Sequence, residues 1–289
     1  MSLPVDRFPD TATLETALST ASHAPSFRNL QPWRWRVGRE GIDLYVDSSR
    51  QLGDTDSDRR DALLSCGAVL DHCVVALAAA GWQPRVRRFP DPEDASHLAL
   101  IELVELPPNP VSMELATAIP RRRADRRRYR TRPIPAGTIE SFYIRAARSK
   151  MKLGVVPKIR WARLDDGGVT LQYGGTAGSA SGPHADDAAM VVLGTYADND
   201  LMRLRTGETL SQIVLSATAM GLATCPLAEP LRNNRNRLAL SCEVFDGEDF
   251  PQTLIRLGWP PSDGDPLAPV ERRTVSETTT WDQDNRHSP

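Results

Sequence analysis

The stretch DSDRRDALLSCGAVLDHCVVALAAAG, residues 56–81, carries the clearest helix signal in the chain. Its apolar residues recur at helical spacing, Thr55 or Asp56 can cap its start, and Gly81 ends it. The apolar face becomes nearly continuous after Leu63, and a helix that is apolar on all sides is a buried one. We therefore expect this helix to lie inside the molecule, with the rest of the chain packed around it.

A similar segment occurs in the later half of the chain. Residues 72–82 (HCVVALAAAGW) and 214–224 (VLSATAMGLAT) share apolar helical spacing, small residues and a terminating glycine. Thr206 can cap this second helix, which then runs to Gly221. If the chain is an internal duplication, the two helices could pack as equivalent helices do in a dimer. Any two α/β segments also look alike at this level, so periodicity alone leaves both interpretations open.

Shorter patterns predict the elements around these helices. A modest amphipathic helix covers Thr11–Ala21 and ends before Pro25. The segments with strand character are Trp33–Val37 and Ile42–Val46, joined as a hairpin, then Leu98–Leu106, Ala189–Thr195 and Thr253–Leu257. Residues 139–163 show no clear pattern, and the polar tail after residue 259 is expected to wrap the surface.

Length and composition exclude several classes of protein. The chain has 289 residues, enough for two domains or one elaborated domain, and its net charge of −2 argues against a surface built for nucleic acid. Four cysteines without a disulfide spacing, and the lack of a signal-like start, lead us to expect a cytoplasmic protein. The longest apolar run, residues 73–80, is short for a membrane span, and the five histidines have no metal-binding spacing.

One basic segment stands out against this average. Residues 121–132, RRRADRRRYRTR, hold eight arginines and one aspartate, a local charge of +7 that leaves −9 for the rest of the chain. Three interpretations compete: a solvated basic face paired with acidic residues elsewhere, a nucleic-acid site, or a clamp for the phosphate of a cofactor. The segment has no interleaved aromatic residue beyond Tyr129. Composition alone favours the solvated face.

A polar loop between the first helix and the first strand is the second candidate. Residues 24–35, APSFRNLQPWRW, combine a Pro-Ser step with Asn29, Gln31 and Pro32. Regular structure cannot satisfy all the backbone and amide groups of such a loop. The loop is either a well-hydrogen-bonded turn or a site for a ligand with many donors and acceptors, and the residues alone give the two equal weight.

The loop and three later motifs together resemble the nitroreductase fold of flavoproteins. The loop is similar to the flavin-contacting segment of that fold, RRRADRRRY (121–129) to its phosphate-binding segment, AMGLATCPL (219–227) to its ring-binding segment and LIRLGWP (254–260) to its closing strand. An ordinary nitroreductase carries the basic segment before the loop and builds two flavin sites across a homodimer. The order found here resembles the Acg-type family of mycobacterial nitroreductase-like proteins, in which two copies are fused and one flavin site survives.

The resemblance implies an α+β fold of two tandem nitroreductase-like halves, residues 1–110 and 111–289, that form an intramolecular pseudo-dimer. It also implies one FMN per chain, NAD(P)H as a possible second ligand, a monomer in solution, and neither nucleic acid nor membrane as a partner. The implied flavin contacts are the loop residues Pro25, Ser26, Asn29 and Gln31, the phosphate clamp of Arg122, Arg123, Arg126 and Arg127, completed by Arg272 and Arg273, and the ring-edge residues Thr224, Cys225, Pro226 and Leu227.

Two departures from the family pattern matter for this site. Asp125 stands near the position where the family has a small hydroxyl residue, and it weakens anion binding unless it orients a neighbouring arginine. The first half has no arginine cluster before its loop and the second half has no Pro-Ser loop. The reciprocal flavin site is therefore expected to be empty.

The resemblance supports two functions. In the first, the protein is an NAD(P)H-dependent reductase of nitro compounds or quinones, and no catalytic side chain is required because the flavin carries the chemistry. In the second, the protein stores FMN, with the glycine- and serine-rich segment 174–187 as a lid over the ring. Nucleic-acid binding through the arginine segment is a third, less favoured alternative.

Overall fold

A computed structural model of the chain describes residues 8–39, 41–173, 188–262 and 265–282. Within these ranges the helices are α1 (Thr11–Ala21), α2 (Asp56–Ala79), α3 (Pro110–Ala118), α4 (Ala136–Arg148), α5 (Asp200–Ala219), α6 (Asn234–Phe245) and α7 (Val275–Thr278). The strands are β1 (Trp33–Val37), β2 (Ile42–Val46), β3 (Trp82–Arg88), β4 (His97–Glu105), β5 (Lys152–Val155), β6 (Trp161–Arg163), β7 (Val169–Leu171), β8 (Ala189–Thr195), β9 (Ala223–Leu227), β10 (Phe250–Gly258) and β11 (Thr279–Trp281).

The chain divides into two compact units. Unit 1 consists of Met1–Arg121 together with Val270–Pro289, and unit 2 consists of Arg122–Pro269. Unit 1 contains both ends of the chain, so its boundaries differ from those of the halves predicted at residues 1–110 and 111–289. The assignment of those halves as two copies of one fold, and as a pseudo-dimer, stays a prediction.

Unit 1 is built on a five-stranded sheet in the order β11-β1-β2-β4-β3. The predicted hairpin of β1 and β2 is present, with Trp35 opposite Leu44 in an antiparallel register. Alternate residues of β1 are buried because every second side chain of a strand points to the same face. The tail does more than wrap the surface, because β11 adds to the edge of this sheet in parallel with β1, with Thr279 opposite Trp35.

Helix α2 forms the core of unit 1. The Thr55 side chain accepts from the N–H of Asp58, whose carboxylate accepts from the N–H of Thr55, and this capping box fixes the start of the helix. Every residue from 58 to 73 except Arg59 is buried. An 18-residue window of mean hydropathy 1.9 gives α2 the length and composition of a membrane span, and 89% of that window is buried inside the protein, as in a core helix.

Unit 2 is built on a four-stranded antiparallel sheet in the order β5-β8-β10-β9, with a separate β6-β7 hairpin. Alternate residues of the central strand β10 enter two hydrophobic clusters. Ile255 packs with Phe142 of α4 and Ile213 of α5, whereas Leu254 packs with Phe245 of α6. The strand β10 thus lies between two layers of side chains, which explains why it is buried from residue 251 to residue 258.

The described elements confirm the predicted α+β class and correct several boundaries: β4 is His97–Glu105 where Leu98–Leu106 was predicted, and β10 is Phe250–Gly258 where Thr253–Leu257 was predicted. The predicted bounds of α1, β1, β2 and β8 agree with the structure. The prediction that Thr206 caps the second apolar helix is wrong, because α5 begins at Asp200 and the side chain of Asn199 accepts from the N–H of Met202. Thr206 lies inside the helix, where its hydroxyl donates to the Met202 carbonyl. The predicted lid, residues 174–187, lies outside the described residues.

Candidate functional site

The loop between α1 and β1 is the first predicted part of the site. Ser26 has extended backbone, and its Oγ accepts a hydrogen bond from the N–H of Gln31 at 3.1 Å. The N–H of Phe27 donates to Oγ of Ser65 on α2, also at 3.1 Å. The loop is therefore closed on itself by Ser26 and attached to the buried helix by Ser65.

Three residues of this loop have left-handed backbone. The φ angles of Arg28, Asn29 and Gln31 are 48°, 58° and 50°. A side chain other than that of glycine costs about 1–2 kcal/mol in this region, and asparagine tolerates it best of the three. Such a conformation persists only where neighbouring groups hold it.

The C-terminal segment of the same unit holds the loop. Asn29 Nδ2 donates to the carbonyl of Glu271 at 3.0 Å, and Asn29 Oδ1 accepts from Nη1 of Arg272. Gln31 is buried, and its Oε1 accepts from the N–H of Arg273 at 2.8 Å. In the described structure the loop is thus a well-hydrogen-bonded turn whose amides bind the chain itself. A flavin contact by Asn29 or Gln31 stays a prediction.

The guanidinium of Arg273 fixes the same region through backbone carbonyls. Its Nη1 donates to the carbonyls of Gln31 and Trp33 at 3.2 and 3.3 Å, and its Nη2 donates to that of Glu277 at 2.8 Å. Burial lowers the pKa of the Arg273 guanidinium, and the positive charge of Arg50 adds to that effect. Arg273 therefore braces the loop against the segment that leads into β11.

From Arg122 onward the arginine segment belongs to unit 2, where it lies beside β9. Ala124 forms a parallel bridge with Thr224, and the N–H of Asp125 donates to the Thr224 carbonyl at 2.9 Å. The two motifs are 100 positions apart in sequence, and the resemblance assigned one to the phosphate and the other to the ring of a flavin. The structure brings these two motifs into direct backbone contact.

Asp125 orients one of the arginines. Its carboxylate is almost fully buried and accepts from the guanidinium of Arg127, through Nη2 at 2.8 Å and Nε at 3.0 Å. The hydrogen bond from this guanidinium to Asp125 raises the pKa of Arg127. Of the two consequences expected from the aspartate, the structure therefore shows the orienting one.

Arg126 differs from its neighbour because its guanidinium is accessible. Its side chain is 49% exposed, and the carboxylate of Glu229 lies 3.8 Å from Nη2. Its backbone is fixed, since Arg163 donates to its carbonyl through Nε at 3.0 Å and Nη2 at 2.8 Å. A Cβ on Gly167 would come within 2.8 Å of the Arg126 Cβ, so the close approach of the β6-β7 turn requires glycine there. Arg126 thus combines a rigid backbone with a cation that a ligand can reach.

The two remaining arginines of the predicted clamp are placed differently. The side chain of Arg122 is buried, with 3% of the residue exposed. Arg123 is half-buried and donates from Nη1 to the carbonyl of Arg122 at 2.8 Å. Arg272 and Arg273, predicted to complete the clamp, belong to unit 1 and lie at the Pro-Ser loop. Their participation in a phosphate site stays a prediction.

The ring-binding segment supplies one unsatisfied polar atom. Thr224 is 1% exposed, and its Oγ1 is buried with no hydrogen-bond partner among the residues that the structure describes. Cys225 and Leu227 pack into the hydrophobic core of unit 2, and Pro226 is half-buried. Burial raises the pKa of the Cys225 thiol, an effect that the charge of Arg126 partly opposes. Cys225 is therefore a packing residue, and the Thr224 hydroxyl is the polar side-chain group that remains for a ligand.

One residue next to this site has no role predicted from the sequence. Arg256 of β10 is fully buried, and its guanidinium lies over the ring of Tyr129, 3.8 Å from the centroid. The signal was present in the sequence, because an arginine interrupts the apolar strand LIRLG and a charge at such a position must find partners.

Among the residues that the structure describes, no group of His, Cys, Asp or Glu could hold a metal ion.

Comparisons with known proteins place this fold and this chain. The fold is similar to that of "a putative nitroreductase" from Anabaena variabilis ATCC 29413, with a TM-score of 0.55, 10% sequence identity, and coverage of 88% of this chain and 90% of that chain. The fold is therefore that of the nitroreductases. No protein-family model matches the chain.

The relatives are closer in sequence than the solved structure. The chain is 40% identical to "Putative NAD(P)H nitroreductase Rv3131" of Mycobacterium tuberculosis H37Rv, over 96% of this chain and 94% of that protein. It is 31% identical to "Putative NAD(P)H nitroreductase acg" of the same strain, over 94% of this chain and 96% of that protein. The chain belongs to the Acg-type family of nitroreductase-like proteins.

Proposed function

We propose that this protein binds FMN and acts as an NAD(P)H-dependent reductase of nitro compounds or quinones. The observation that carries the proposal is the backbone contact between the arginine segment and β9, at Ala124 and Thr224. Two motifs that the family resemblance assigns to opposite ends of one flavin are neighbours in unit 2. Membership of a family whose relatives are named as NAD(P)H nitroreductases supports the same activity.

The described residues fit the chemistry of such a ligand. FMN carries a dianionic phosphate, and the half-exposed guanidinium of Arg126 is a suitable partner for one. The buried Thr224 hydroxyl lacks a partner among the described residues, and buried polar groups are normally satisfied. Both groups belong to one pair of adjacent segments, so a single polar ligand can account for both.

The remaining predicted residues have supporting roles in this proposal. Asn29 and Gln31 keep the Pro-Ser loop in its left-handed conformation, and a flavin contact of Pro25 stays a prediction. Asp125 holds Arg127 in place beside the phosphate partner Arg126. Bound FMN would supply electron transfer between a nicotinamide and an acceptor, and the protein would supply binding and orientation. We therefore assign no side chain as a catalytic acid or base.

One experiment tests this function against its main alternative. Purified protein is loaded with FMN and mixed with NADH or NADPH without oxygen while the visible flavin absorbance is followed. Rapid bleaching, followed by recovery when a nitro compound or a quinone is added, supports the reductase. Bleaching by dithionite alone supports storage of FMN and contradicts the reductase. Protein that does not retain added FMN contradicts both functions.

The same preparation tests the proposed stoichiometry. We propose one FMN per chain, because the arginine cluster and the Pro-Ser loop each occur once in the sequence. The ratio of flavin absorbance to protein concentration should saturate at one, and the protein should elute as a monomer in size-exclusion chromatography. Saturation at two flavins per chain would show that the reciprocal site is also functional.

A further inference from the structure

The buried arginine of β10 is the feature of unit 2 that the proposed function does not use. Arg256 is 1% exposed and lies in the middle of a strand whose register pairs it with Met190 on β8 and Cys225 on β9. Burying a charged group is costly unless its donors are hydrogen-bonded. The hydrogen-bond partners of this guanidinium therefore indicate what the buried arginine does.

Two of those partners flank Arg126. Nη2 of Arg256 donates to the carbonyl of Arg127 at 2.7 Å, and Nη1 donates to the carbonyl of Asp125 at 3.3 Å. The carbonyl between them, that of Arg126, accepts from Arg163. Three consecutive carbonyls thus accept hydrogen bonds from arginine side chains, and Arg256 binds the outer two.

Tyr129 completes this arrangement. Its ring packs against the Arg256 guanidinium, and its hydroxyl donates to the Asp125 carbonyl at 2.8 Å. A Cβ on Gly258 would lie 2.4 Å from Cδ2 of Tyr129, so the ring fits because residue 258 is glycine. The Tyr129 ring is thus packed between the Arg256 guanidinium and Gly258 of β10. Arg256 and Tyr129 together fix the backbone of residues 125–127 through hydrogen bonds to the carbonyls of Asp125 and Arg127.

These hydrogen bonds determine where the side chain of Arg126 is placed. A guanidinium recognises phosphate through directed hydrogen bonds, so its geometry depends on where its backbone is held. The backbone on either side of Arg126 is held by Arg256, whereas its own side chain is half exposed. A change at Arg256 should therefore alter the phosphate partner while leaving the ring-binding residues of β9 in place.

We propose that Arg256 is a positioning residue for phosphate recognition: from within the sheet it fixes the backbone that presents the Arg126 guanidinium to the flavin phosphate. The inference rests on the proposed function, because it assumes that Arg126 meets a phosphate. It goes beyond that function by assigning a role to a residue that is 1% exposed and is not among the implied flavin contacts. The role predicts selectivity, since the phosphate of FMN depends on it and the ring does not.

The experiment compares FMN with riboflavin, which has the same ring but no phosphate. Dissociation constants are measured by flavin fluorescence for the full-length protein and for Arg256→Met. We expect Arg256→Met to weaken FMN binding by about tenfold or more and riboflavin binding by less than about twofold. The ratio of the two constants is the readout, because a general loss of packing would weaken both ligands together.

Milder and matched variants keep the test decisive if Arg256→Met folds poorly. Tyr129→Phe keeps the ring under the guanidinium and removes the hydroxyl, so it should lower the FMN-to-riboflavin preference by about two- to fivefold. Arg256→Lys can satisfy one carbonyl and should fall between the wild type and Arg256→Met. Arg237→Met is the control, since Arg237 also binds a carbonyl of unit 2, that of Pro251, and should leave the ratio unchanged.

The outcomes separate the inference from the proposed function. The positioning role alone would be overturned if the wild type prefers FMN to riboflavin and both Arg256→Met and Tyr129→Phe keep the same preference. An equal loss of FMN and riboflavin affinity in Arg256→Met would also overturn it. Wild-type protein that binds neither flavin would overturn the proposed function and, with it, the role of Arg256.

Discussion

Arg272 donates from Nη1 to Oδ1 of Asn29, a residue 243 positions earlier in the chain. The other end of the same amide donates to the carbonyl of Glu271 at 3.0 Å. Both ends of the Asn29 side chain are thus bonded to one short segment, and Asn29 lies between two further residues with left-handed backbone, Arg28 and Gln31. The conformation of the Pro-Ser loop therefore depends on a segment that returns from the far end of the sequence.

Substitution of Asn29 should separate backbone strain from the loss of its amide bonds. Asn29→Gly and Asn29→Ala both lose those bonds, so both should fold and bind FMN more weakly than the wild type. Alanine at a φ of 58° adds about 1 kcal/mol of strain that glycine does not have. Urea unfolding should therefore give a lower free energy of unfolding for Asn29→Ala than for Asn29→Gly. Equal values, or unchanged FMN affinity in both variants, would contradict this role of Asn29.

Replacing Arg273 should loosen the loop without removing any loop residue. Arg273→Met loses the hydrogen bonds to the carbonyls of Gln31, Trp33 and Glu277, so the loop should open more often. Arg28 is exposed and offers a trypsin site within the loop. We expect cleavage after Arg28 to accelerate about tenfold, as measured by mass spectrometry of timed digests.

A surface arginine provides the control for this experiment. Arg36 pairs with Asp282 at 3.0 Å on the same sheet, and both side chains are well exposed. Exposed ion pairs contribute about 0–1 kcal/mol, so Arg36→Met should leave cleavage after Arg28 at the wild-type rate. Equal acceleration in both variants would mean that cleavage reports general destabilisation of unit 1 and not the brace at Arg273.

Local features of the sequence predicted the elements whose causes are local. The hairpin of Trp33–Val37 and Ile42–Val46 follows from alternating apolar residues on either side of a glycine-bounded turn, and its bounds were confirmed. The start of α5 was missed because its first apolar residues, Leu201, Met202 and Leu204, are separated from the regular pattern at Leu210 by five residues without a large apolar side chain, residues 205–209. A threonine near that point then looked like a cap.

Long-range contacts account for what the sequence could not show. The family resemblance assigns the tail residues Arg272 and Arg273 to the phosphate clamp, which stays a prediction, and the structure adds that both residues donate hydrogen bonds to the Pro-Ser loop. The parallel pairing of β11 with β1 joins residues some 240 positions apart, which no local pattern reveals. The contact between Ala124 and Thr224 is of the same kind. The motif resemblance indicated the candidate flavin-binding segments, and the structure shows which distant segments each of them contacts.

The arginine segment should contain one ligand partner and one structural arginine. Arg126 is half exposed, so Arg126→Ala should weaken FMN binding by about 10- to 100-fold while the free energy of unfolding changes little. Arg127→Ala leaves the buried Asp125 carboxylate without its strongest partner and should lower the free energy of unfolding by about 1–3 kcal/mol. Flavin titration and urea unfolding of both variants measure the two effects. The reverse pattern would mean that Arg127 is the phosphate partner.

A partly buried carboxylate, paired with two arginines, should make the stability of unit 2 sensitive to acid. Burial would raise the pKa of Asp198, but hydrogen bonds from Arg203, Arg237 and Gln252 outweigh it and lower that pKa well below its usual range. Its stabilisation is fully present above the unfolded-state pKa, about 3.9, and is lost as the pH falls towards the folded-state pKa. Stability of the wild type should therefore fall as the pH drops below about 4.

Replacing this carboxylate tests the assignment. Asp198→Asn should lower the free energy of unfolding at neutral pH by about 2–4 kcal/mol, because Arg203 and Arg237 each lose the charged partner that is nearest to them. It should also show a shallower decline below about pH 4 in urea unfolding, since the titrating group is gone. Asp91→Asn, at an exposed turn, is the control and should follow the wild-type curve. Parallel acid declines in Asp198→Asn and the wild type would show that Asp198 is not the group responsible.

The hydroxyl of Thr224 gives opposite predictions for the protein alone and for its complex with FMN. Without flavin, Thr224→Val replaces a buried hydroxyl that lacks a partner among the described residues with a methyl of similar shape. The free energy of unfolding should then stay equal or rise by up to about 1 kcal/mol. With flavin, the variant loses a hydrogen bond to the ligand, and FMN affinity should fall by about 3- to 15-fold. Thermal unfolding with and without FMN measures both effects in one series. A variant that is more stable alone and binds FMN as well as the wild type would show that the flavin does not meet this hydroxyl.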